Sequence, residues 1–153
     1  MNAPKIYVDA DACPVKEDIL RIAARHDLAV FMVSNTWLRM AEGPKVGRIV
    51  VGEGADAADD WIAEHIGNSD IAVTSDIPLA GRCLERGAYA LDPAGKPFTE
   101  DSIGTQLAMR DLMAHLRDTG EVQGGGRGRN RRDRERFIET LERTVNAILR
   151  RQN

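Results

Sequence analysis

The sequence predicts an α/β fold in which helices cover both faces of a mainly parallel sheet, giving three layers, with further helices at the C-terminal end. Two observations support this prediction. Short apolar runs alternate with helical patterns from the N-terminus to residue 91. Several of these runs are apolar at nearly every position, as expected for parallel strands that are buried on both faces.

The elements follow one another in a regular order. Strands are predicted at residues 5–9, 28–33, 48–51, 71–74 and 88–91, and helices at residues 14–26, 57–66 and 79–86. The pattern between the second and third strands is ambiguous and allows a short helix at residues 37–40. After residue 91 the sequence predicts a helix at 102–116, a flexible loop at 120–132 and a last helix at 133–150.

The composition indicates one globular domain over residues 1–153. Hydrophobic residues make up 42% of the chain, which is enough for a core. No apolar run approaches the roughly 18 residues of a membrane span, and we expect a cytoplasmic protein that does not bind membranes. The two cysteines lack the spacing of a disulfide framework or a zinc site. Aromatic residues are only 5%, so the composition does not indicate a stacking platform for single strands.

The charge is distributed unevenly along the chain. Residues 121–153 contain nine Arg and five acidic residues, a net charge of +4, which leaves −7 for residues 1–120. Loop arginines can bind the phosphates of a nucleic acid, although basic loops are also commonly just solvated, and both interpretations stay open. The candidate phosphate-binding residues are Arg127, Arg129, Arg131 and Arg132.

Acidic residues stand at the ends of two predicted strands. The first strand ends in Asp9, followed by Asp11, and the fourth is followed by Asp76. Carboxyl ends of parallel strands meet at one edge of a sheet, so these acids should meet there. Carboxylates about 5 Å apart repel by roughly 3 kcal/mol, and a hard divalent cation relieves this repulsion. The alternative is that each aspartate caps the helix that follows it.

A further ligand is expected from the helix predicted at residues 57–66. At about 100° per residue, Asp59 lies at the border of the apolar face, whereas Asp56 and Asp60 point away from it. Acids in a first turn also complement the helix dipole, which explains Asp56 and Asp60 adequately. We therefore rank the candidate metal ligands of this helix as Asp59, then Asp56, then Asp60.

Polar residues near the same edge are candidates for substrate binding. Thr74 and Ser75 stand where the fourth strand ends, and their hydroxyls can bind a metal or a phosphate oxygen. Helix capping is an equally good explanation for these two hydroxyls and a less good one for Asp76. Lys16 and Asn35 also lie near the expected crevice and can contact a phosphate.

The motif around Asp9 and Asp11 has a second interpretation. A D-x-D motif after an apolar strand also opens the haloacid-dehalogenase phosphotransferases, where the first Asp is a nucleophile and the second an acid/base. Only 19 positions separate Ser34 from Glu53, the residues that would imitate the later motifs of that family. This is too short for the intervening elements of such a phosphatase, and the interpretation leaves Asp76 without a role.

Five blocks of the sequence resemble the YaiI/YqxD family of small, largely uncharacterised bacterial proteins. In chain order they are IYVDADACPVK, GADAADDWI, DIAVTSDIPLAGRCLERGAYALDPAG, LAMRDLMAHLRDTG and GGGRGRNRRDRERFIETL. That family is similar to PIN-domain nucleases, which hold Mg²⁺ or Mn²⁺ with acids from the first strand, the fourth strand and a central helix. The resemblance implies a PIN-like domain with Asp9, Asp59 and Asp76 in those positions and Thr74 in the T-x-D signature.

The expected function is therefore hydrolysis of phosphodiesters, with RNA as the expected substrate. The resemblance implies that Asp9, Asp59 and Asp76 are catalytic and hold Mg²⁺ or Mn²⁺. The strand-end pattern adds Asp11 as a candidate ligand, and the ranking of the helix acids adds Asp56. The alternative from another class is a nucleic-acid-binding protein that keeps a PIN-like fold without turnover. The sequence does not predict the oligomeric state.

Overall fold

A computed structural model of the protein describes residues 3–40, 43–54, 56–118 and 131–152. Within these residues, five strands pair in parallel in the order β3-β2-β1-β4-β5. The strands are β1 (Ile6–Asp9), β2 (Val30–Ser34), β3 (Val46–Val50), β4 (Ile71–Val73) and β5 (Tyr89–Leu91). The parallel α/β fold predicted from the sequence is confirmed.

Three helices connect strands and two more follow β5, whereas no helix of the described residues lies between β2 and β3. The helices are α1 (Lys16–Arg25), α2 (Ala57–His65), α3 (Ile77–Glu85), α4 (Glu100–Asp118) and α5 (Arg131–Arg151). A short 3-10 helix, Ala10–Ala12, follows β1 and was not predicted. None of the helices in the described ranges has both the length and the apolar character needed to cross a bilayer.

The order of the strands creates a crevice beside β1. The chain builds the sheet outward from β1 through β2 to β3, and then returns to place β4 on the other side of β1. The winding direction therefore reverses between β1 and β4. In open α/β sheets, ligands bind at the carboxyl ends of the strands at such a reversal.

The sheet separates two apolar cores, which makes the fold three-layered. Ile6 and Val8 of β1 face α1 and α5, whereas Tyr7 between them faces α2 and α3. This alternation follows from the period of two along a strand. Helix α4 packs on α3 from outside, and its Ile103 contacts the second core.

The C-terminal helix docks on the first core, as its apolar stripe predicted. Phe137, Leu141, Val145 and Ile148 of α5 are all buried there. The loop was expected at residues 120–132, and its predicted end is wrong, because Arg131 and Arg132 already belong to α5. The side chain of Arg134 binds Asp18 of α1, which fixes the first turn of α5 in place. Residues 120–130, with Arg127 and Arg129, lie outside the described residues.

The prediction of a possible short helix at residues 37–40 is also wrong. These residues have no regular structure. Arg48 of β3 donates a hydrogen bond from Nε to the carbonyl oxygen of Leu38, at 2.9 Å. Leu38 and Met40 pack against the core beside α1, so tertiary contacts rather than local helix propensity hold this segment in place.

We predict that Gly95→Ala weakens the docking of α5. Gly95 has φ +92°, and an added Cβ would lie 2.7 Å from backbone atoms of Arg136 and Phe137. Loss of about 2–3 kcal/mol of unfolding free energy is expected in chemical denaturation, from the clash and the left-handed backbone. The same substitution at Gly104 of α4 meets no described atom within 4 Å and should stabilise slightly. An unchanged stability of the Gly95 variant would contradict the packing described.

We predict that the Asp18–Arg134 ion pair makes stability depend on pH. Hydrogen bonds from Arg134 lower the pKa of the almost fully buried Asp18. This stabilisation is complete above the unfolded pKa of about 3.9 and is lost as the pH falls through the lower folded pKa. In urea unfolding, Asp18→Asn should be less stable than wild type at pH 7, and the difference should shrink below pH 3.

The matched control for this ion pair is Glu139→Gln. Glu139 forms an exposed ion pair with Arg143 on one face of α5. Exposed pairs contribute little to stability, so this variant should follow wild type throughout the pH range. A constant difference between Asp18→Asn and wild type from pH 7 to pH 2 would contradict the assignment.

Candidate metal centre

Asp9 and Thr74 join the ends of β1 and β4. Asp9 is the last residue of β1, and Thr74 follows β4 directly. The Thr74 hydroxyl donates to Oδ2 of Asp9 at 2.9 Å and accepts from the backbone N–H of Asp76 at 3.0 Å. Because Thr74 is only 2% exposed, this hydroxyl is a fixed part of the crevice floor. It orients the Asp9 carboxylate toward the reversal point of the sheet.

Asp76 caps α3 and also faces the crevice. Its Oδ1 accepts a hydrogen bond from the backbone N–H of Leu79 at 2.8 Å. The expectation that Asp76 suits capping less well than Thr74 or Ser75 is therefore wrong. Pro78 has no backbone N–H to donate. The Asp76 carboxylate therefore accepts from the next backbone N–H in the first turn, which belongs to Leu79. Ser75 is exposed at the rim of the crevice.

Asp59 of α2 shares one electrostatic environment with Asp9 and Asp76. Burial, together with the negative charges of Asp76 and Asp9, raises the pKa of Asp59 to about 6. Burial also raises the pKa of Asp9, with smaller contributions from Asp76 and Asp11, while the Thr74 hydrogen bond lowers it. The structure thus brings together three carboxylates that lie far apart in the sequence. Their role as metal ligands and catalytic residues stays a prediction.

The other two acids of α2 are placed differently. Asp60 forms a 2.8 Å ion pair with Arg82 of α3. Asp56 stands exposed at the start of α2, where its side chain does not cap the helix. Asp59 is half-buried, whereas Asp56 and Asp60 are exposed, and the ranking of the three as metal ligands stays a prediction.

Asp11 connects the 3-10 helix after β1 to the end of β2 through hydrogen bonds. Its two oxygens accept hydrogen bonds from the Ser34 hydroxyl and from the backbone N–H of Asn35. The Asn35 side chain in turn donates to the carbonyl oxygens of Gly52 and Gly54, at 3.1 and 3.3 Å. Asp11 and Asn35 therefore hold three loops together. Sequence reasoning missed this because the partners are 17–24 residues apart.

Lys16 has a structural role at the start of α1. Its ammonium group donates to the carbonyl oxygens of Ala10 and Cys13, at 3.2 and 3.0 Å. A lysine has three donors, so one N–H remains for a phosphate after these two bonds. The bonds also hold a positive charge next to the 3-10 helix that carries Asp11.

Two of the four arginines proposed to bind phosphate lie at the start of α5. Arg131 and Arg132 are exposed in its first turn, near the Asp18–Arg134 ion pair and the start of α1. Arg127 and Arg129 lie outside the described residues. A contact of any of the four with a substrate stays a prediction.

The donor set of the crevice suits a hard divalent cation. Its side chains are carboxylates and hydroxyls, the oxygen ligands that Mg²⁺ and Mn²⁺ prefer. Within the described ranges, no group of three acidic, His or Cys side chains already surrounds one point at ligand distance. This is compatible with Mg²⁺, which typically takes one or two carboxylates and keeps several waters. Burial raises the pKa of Asp59, and the negative charges of Asp76 and Asp9 raise it further.

We predict that Asp59→Asn stabilises the protein in EDTA. The substitution removes a half-buried negative charge that repels Asp9 and Asp76. Because solvent screens part of this repulsion, we expect a gain of about 1 kcal/mol in unfolding free energy at pH 8. Thermal denaturation with and without Mn²⁺ measures the effect, and Mn²⁺ should stabilise wild type more than the variant. Asp60→Asn, which removes a paired acid of the same helix, is the control; a loss of stability in Asp59→Asn would contradict the electrostatic description.

Comparison with known proteins places the chain in a family. Residues 7–147 match the family described as "Uncharacterized BCR, YaiI/YqxD family". A UPF0178 protein of Parvibaculum lavamentivorans is 56% identical over 147 residues, covering 96% of this chain and 97% of the relative. A UPF0178 protein of Rhodopseudomonas palustris strain BisB18 is 54% identical over 150 residues, covering 98% of this chain and 97% of the relative. The chain therefore belongs to the YaiI/YqxD family.

Proposed function

We propose that the protein is a divalent-metal-dependent nuclease that hydrolyses phosphodiester bonds in RNA. The observation that carries this proposal is the Thr74 hydroxyl, which bonds both the Asp9 carboxylate and the backbone of Asp76 where the winding of the sheet reverses, with Asp59 in the same electrostatic environment. The resemblance of the sequence motifs to PIN-domain nucleases supports the same chemistry. Half-buried acids that repel one another destabilise a fold in the absence of a cation, and perturbed acids of this kind are common at functional sites.

The chain supplies the ligands and their orientation. Asp9 and Asp76 would hold Mg²⁺ or Mn²⁺, with Asp59 as the third acid of the crevice. When bound, such an ion lowers the pKa of a coordinated water and stabilises negative charge on a phosphate. Thr74 fixes the Asp9 carboxylate, and the cap to Leu79 fixes that of Asp76. The acids are thus held in place before a substrate arrives.

The haloacid-dehalogenase interpretation has less support. It requires the second acid of the motif, Asp11, to exchange a proton with the leaving group. Both oxygens of Asp11 instead accept hydrogen bonds from Ser34 and Asn35 at the end of β2. The interpretation also assigns no role to Asp76, which lies close enough to influence Asp9 and Asp59.

We predict that Asp9→Asn abolishes Mn²⁺-dependent cleavage of single-stranded RNA. The variant removes the charge of the most central acid but keeps its size, so the protein should remain folded. We expect a loss of at least about 100-fold in the cleavage rate, since the ligand charge that holds the ion is gone. Cleavage of a fluorescently labelled oligoribonucleotide measures the rate, and circular dichroism checks the fold.

Asp60→Asn is the matched control for this experiment. Asp60 lies on the same helix as Asp59 but pairs with Arg82, so its loss should leave the cleavage rate within about twofold. Retained cleavage in Asp9→Asn would remove Asp9 from the mechanism. RNA binding by wild type without cleavage in Mg²⁺ or Mn²⁺ would favour the non-catalytic nucleic-acid-binding alternative.

A further inference from the structure

One aromatic side chain, that of Trp37, stands out on the surface of the described residues. It is 63% exposed, more than the other large exposed hydrophobic residues, which are Val50, Met109 and Leu112. A single exposed apolar residue is common on a protein surface and needs no function by itself. What distinguishes Trp37 is how its ring is held and what lies beside it.

The Trp37 ring is held in one orientation by Arg48. The guanidinium carbon of Arg48 lies 4.4 Å from the centre of the ring, in a cation–π contact. The same guanidinium donates from Nε to the carbonyl oxygen of Leu38, the next residue along the chain. Arg48 itself belongs to strand β3, so the sheet anchors the stack. A guanidinium covers only one face of an indole, and the large exposed fraction leaves ring surface to solvent.

The segment that carries Trp37 starts at the proposed metal centre. Trp37 is three residues after Ser34, the last residue of β2, so their Cα atoms are at most about 11 Å apart. Ser34 and Asn35 are hydrogen-bonded to Asp11, in the 3-10 helix directly after β1. The ring is therefore attached to the same carboxyl edge of the sheet as the acids. A strand of the roughly 4–16 nucleotides that single-strand-binding sites cover can therefore reach both the ring and the end of β2.

The charges around Trp37 are suited to a polyanion. Arg48 lies against the ring, and Arg39, two residues further, is exposed. The neighbouring acids at the end of β1 repel phosphate groups unless a cation is bound. Positive charge beside Trp37 can hold a phosphate backbone that the acids alone would repel. An aromatic ring flanked by arginines is the combination that single-stranded nucleic acids bind.

We propose that Trp37 is a stacking platform for an unpaired nucleobase, and hence that the substrate is single-stranded. The base stacks on the exposed ring surface while Arg48 supports the opposite face, and Arg39 contacts the backbone nearby. In a duplex, neighbouring pairs cover both faces of each base, so a duplex cannot use this platform without unstacking. This inference adds to the proposed function. It rests on that proposal in one respect, namely that the substrate is a nucleic acid.

Fluorescence of Trp37 tests this inference directly. The chain has two tryptophans, and Trp61→Phe leaves Trp37 as the only one. Trp61 is half-buried and stacks on His65, so the phenylalanine should preserve most of its packing. We expect a single-stranded 12-mer oligoribonucleotide to quench Trp37 fluorescence, in EDTA and again in Ca²⁺. The same sequence in a duplex should produce much less quenching.

Affinity measurements give the second readout. In fluorescence anisotropy with labelled RNA, Trp37→Ala should weaken binding of the single strand by about 10-fold or more, within the range found for base–aromatic stacking. Trp37→Phe should recover most of the affinity because it keeps an aromatic face. Leu112→Ala, which removes another exposed apolar side chain on α4, is the control and should bind like wild type.

The outcomes separate this inference from the nuclease proposal. If Trp37→Ala binds single-stranded RNA as tightly as wild type, or if wild type binds no RNA, the stacking platform is overturned. This holds even if Asp9→Asn abolishes cleavage and the nuclease proposal stands. If binding depends on Trp37 but wild type cleaves no RNA with Mg²⁺ or Mn²⁺, the platform stands and the nuclease proposal fails.

Discussion

Repulsion among the half-buried carboxylates of Asp9, Asp59 and Asp76 is the physical constraint on which the proposed role of this crevice depends. The parallel sheet places the ends of β1 and β4 side by side, and α2 adds the third acid. The fold relieves part of the repulsion through the hydroxyl of Thr74, the cap from the N–H of Leu79 and the raised pKa of Asp59. A divalent cation would neutralise the remainder, which connects the stability of the crevice to its proposed chemistry.

Much of the fold and of the acidic crevice could be predicted because both follow from short-range patterns. Apolar runs alternating with helical stripes are enough to indicate parallel strands, and parallel strands bring their carboxyl ends together. The position of Asp59 at the border of an apolar helix face distinguished it from Asp60, which the structure pairs with Arg82. These inferences need only the period of a strand or a helix. The capping of α3 by Asp76 was not predicted, because the choice among Thr74, Ser75 and Asp76 depends on the residue at which the helix begins.

Features that depend on tertiary contacts could not be read from the sequence. The bonds of Asp11 to Ser34 and Asn35 depend on the register of β1 against β2. The path of residues 37–40 depends on the hydrogen bond from Arg48 to Leu38. The guanidinium group of Arg48 also orients the Trp37 ring. The number of aromatic residues in a sequence does not show which of them are exposed. In each case a side chain meets a partner that is distant in sequence, and local propensity carries no information about it.

The position of a bound ion is the most direct test of the central claim. In a crystal soaked with Mn²⁺, anomalous diffraction should show a peak at the carboxyl ends of β1 and β4. The account predicts carboxylate oxygens of Asp9 and Asp76 at about 2.0–2.3 Å from that peak, with Asp59 beside it. Strong anomalous density elsewhere in the molecule, with none between these three acids, would contradict it.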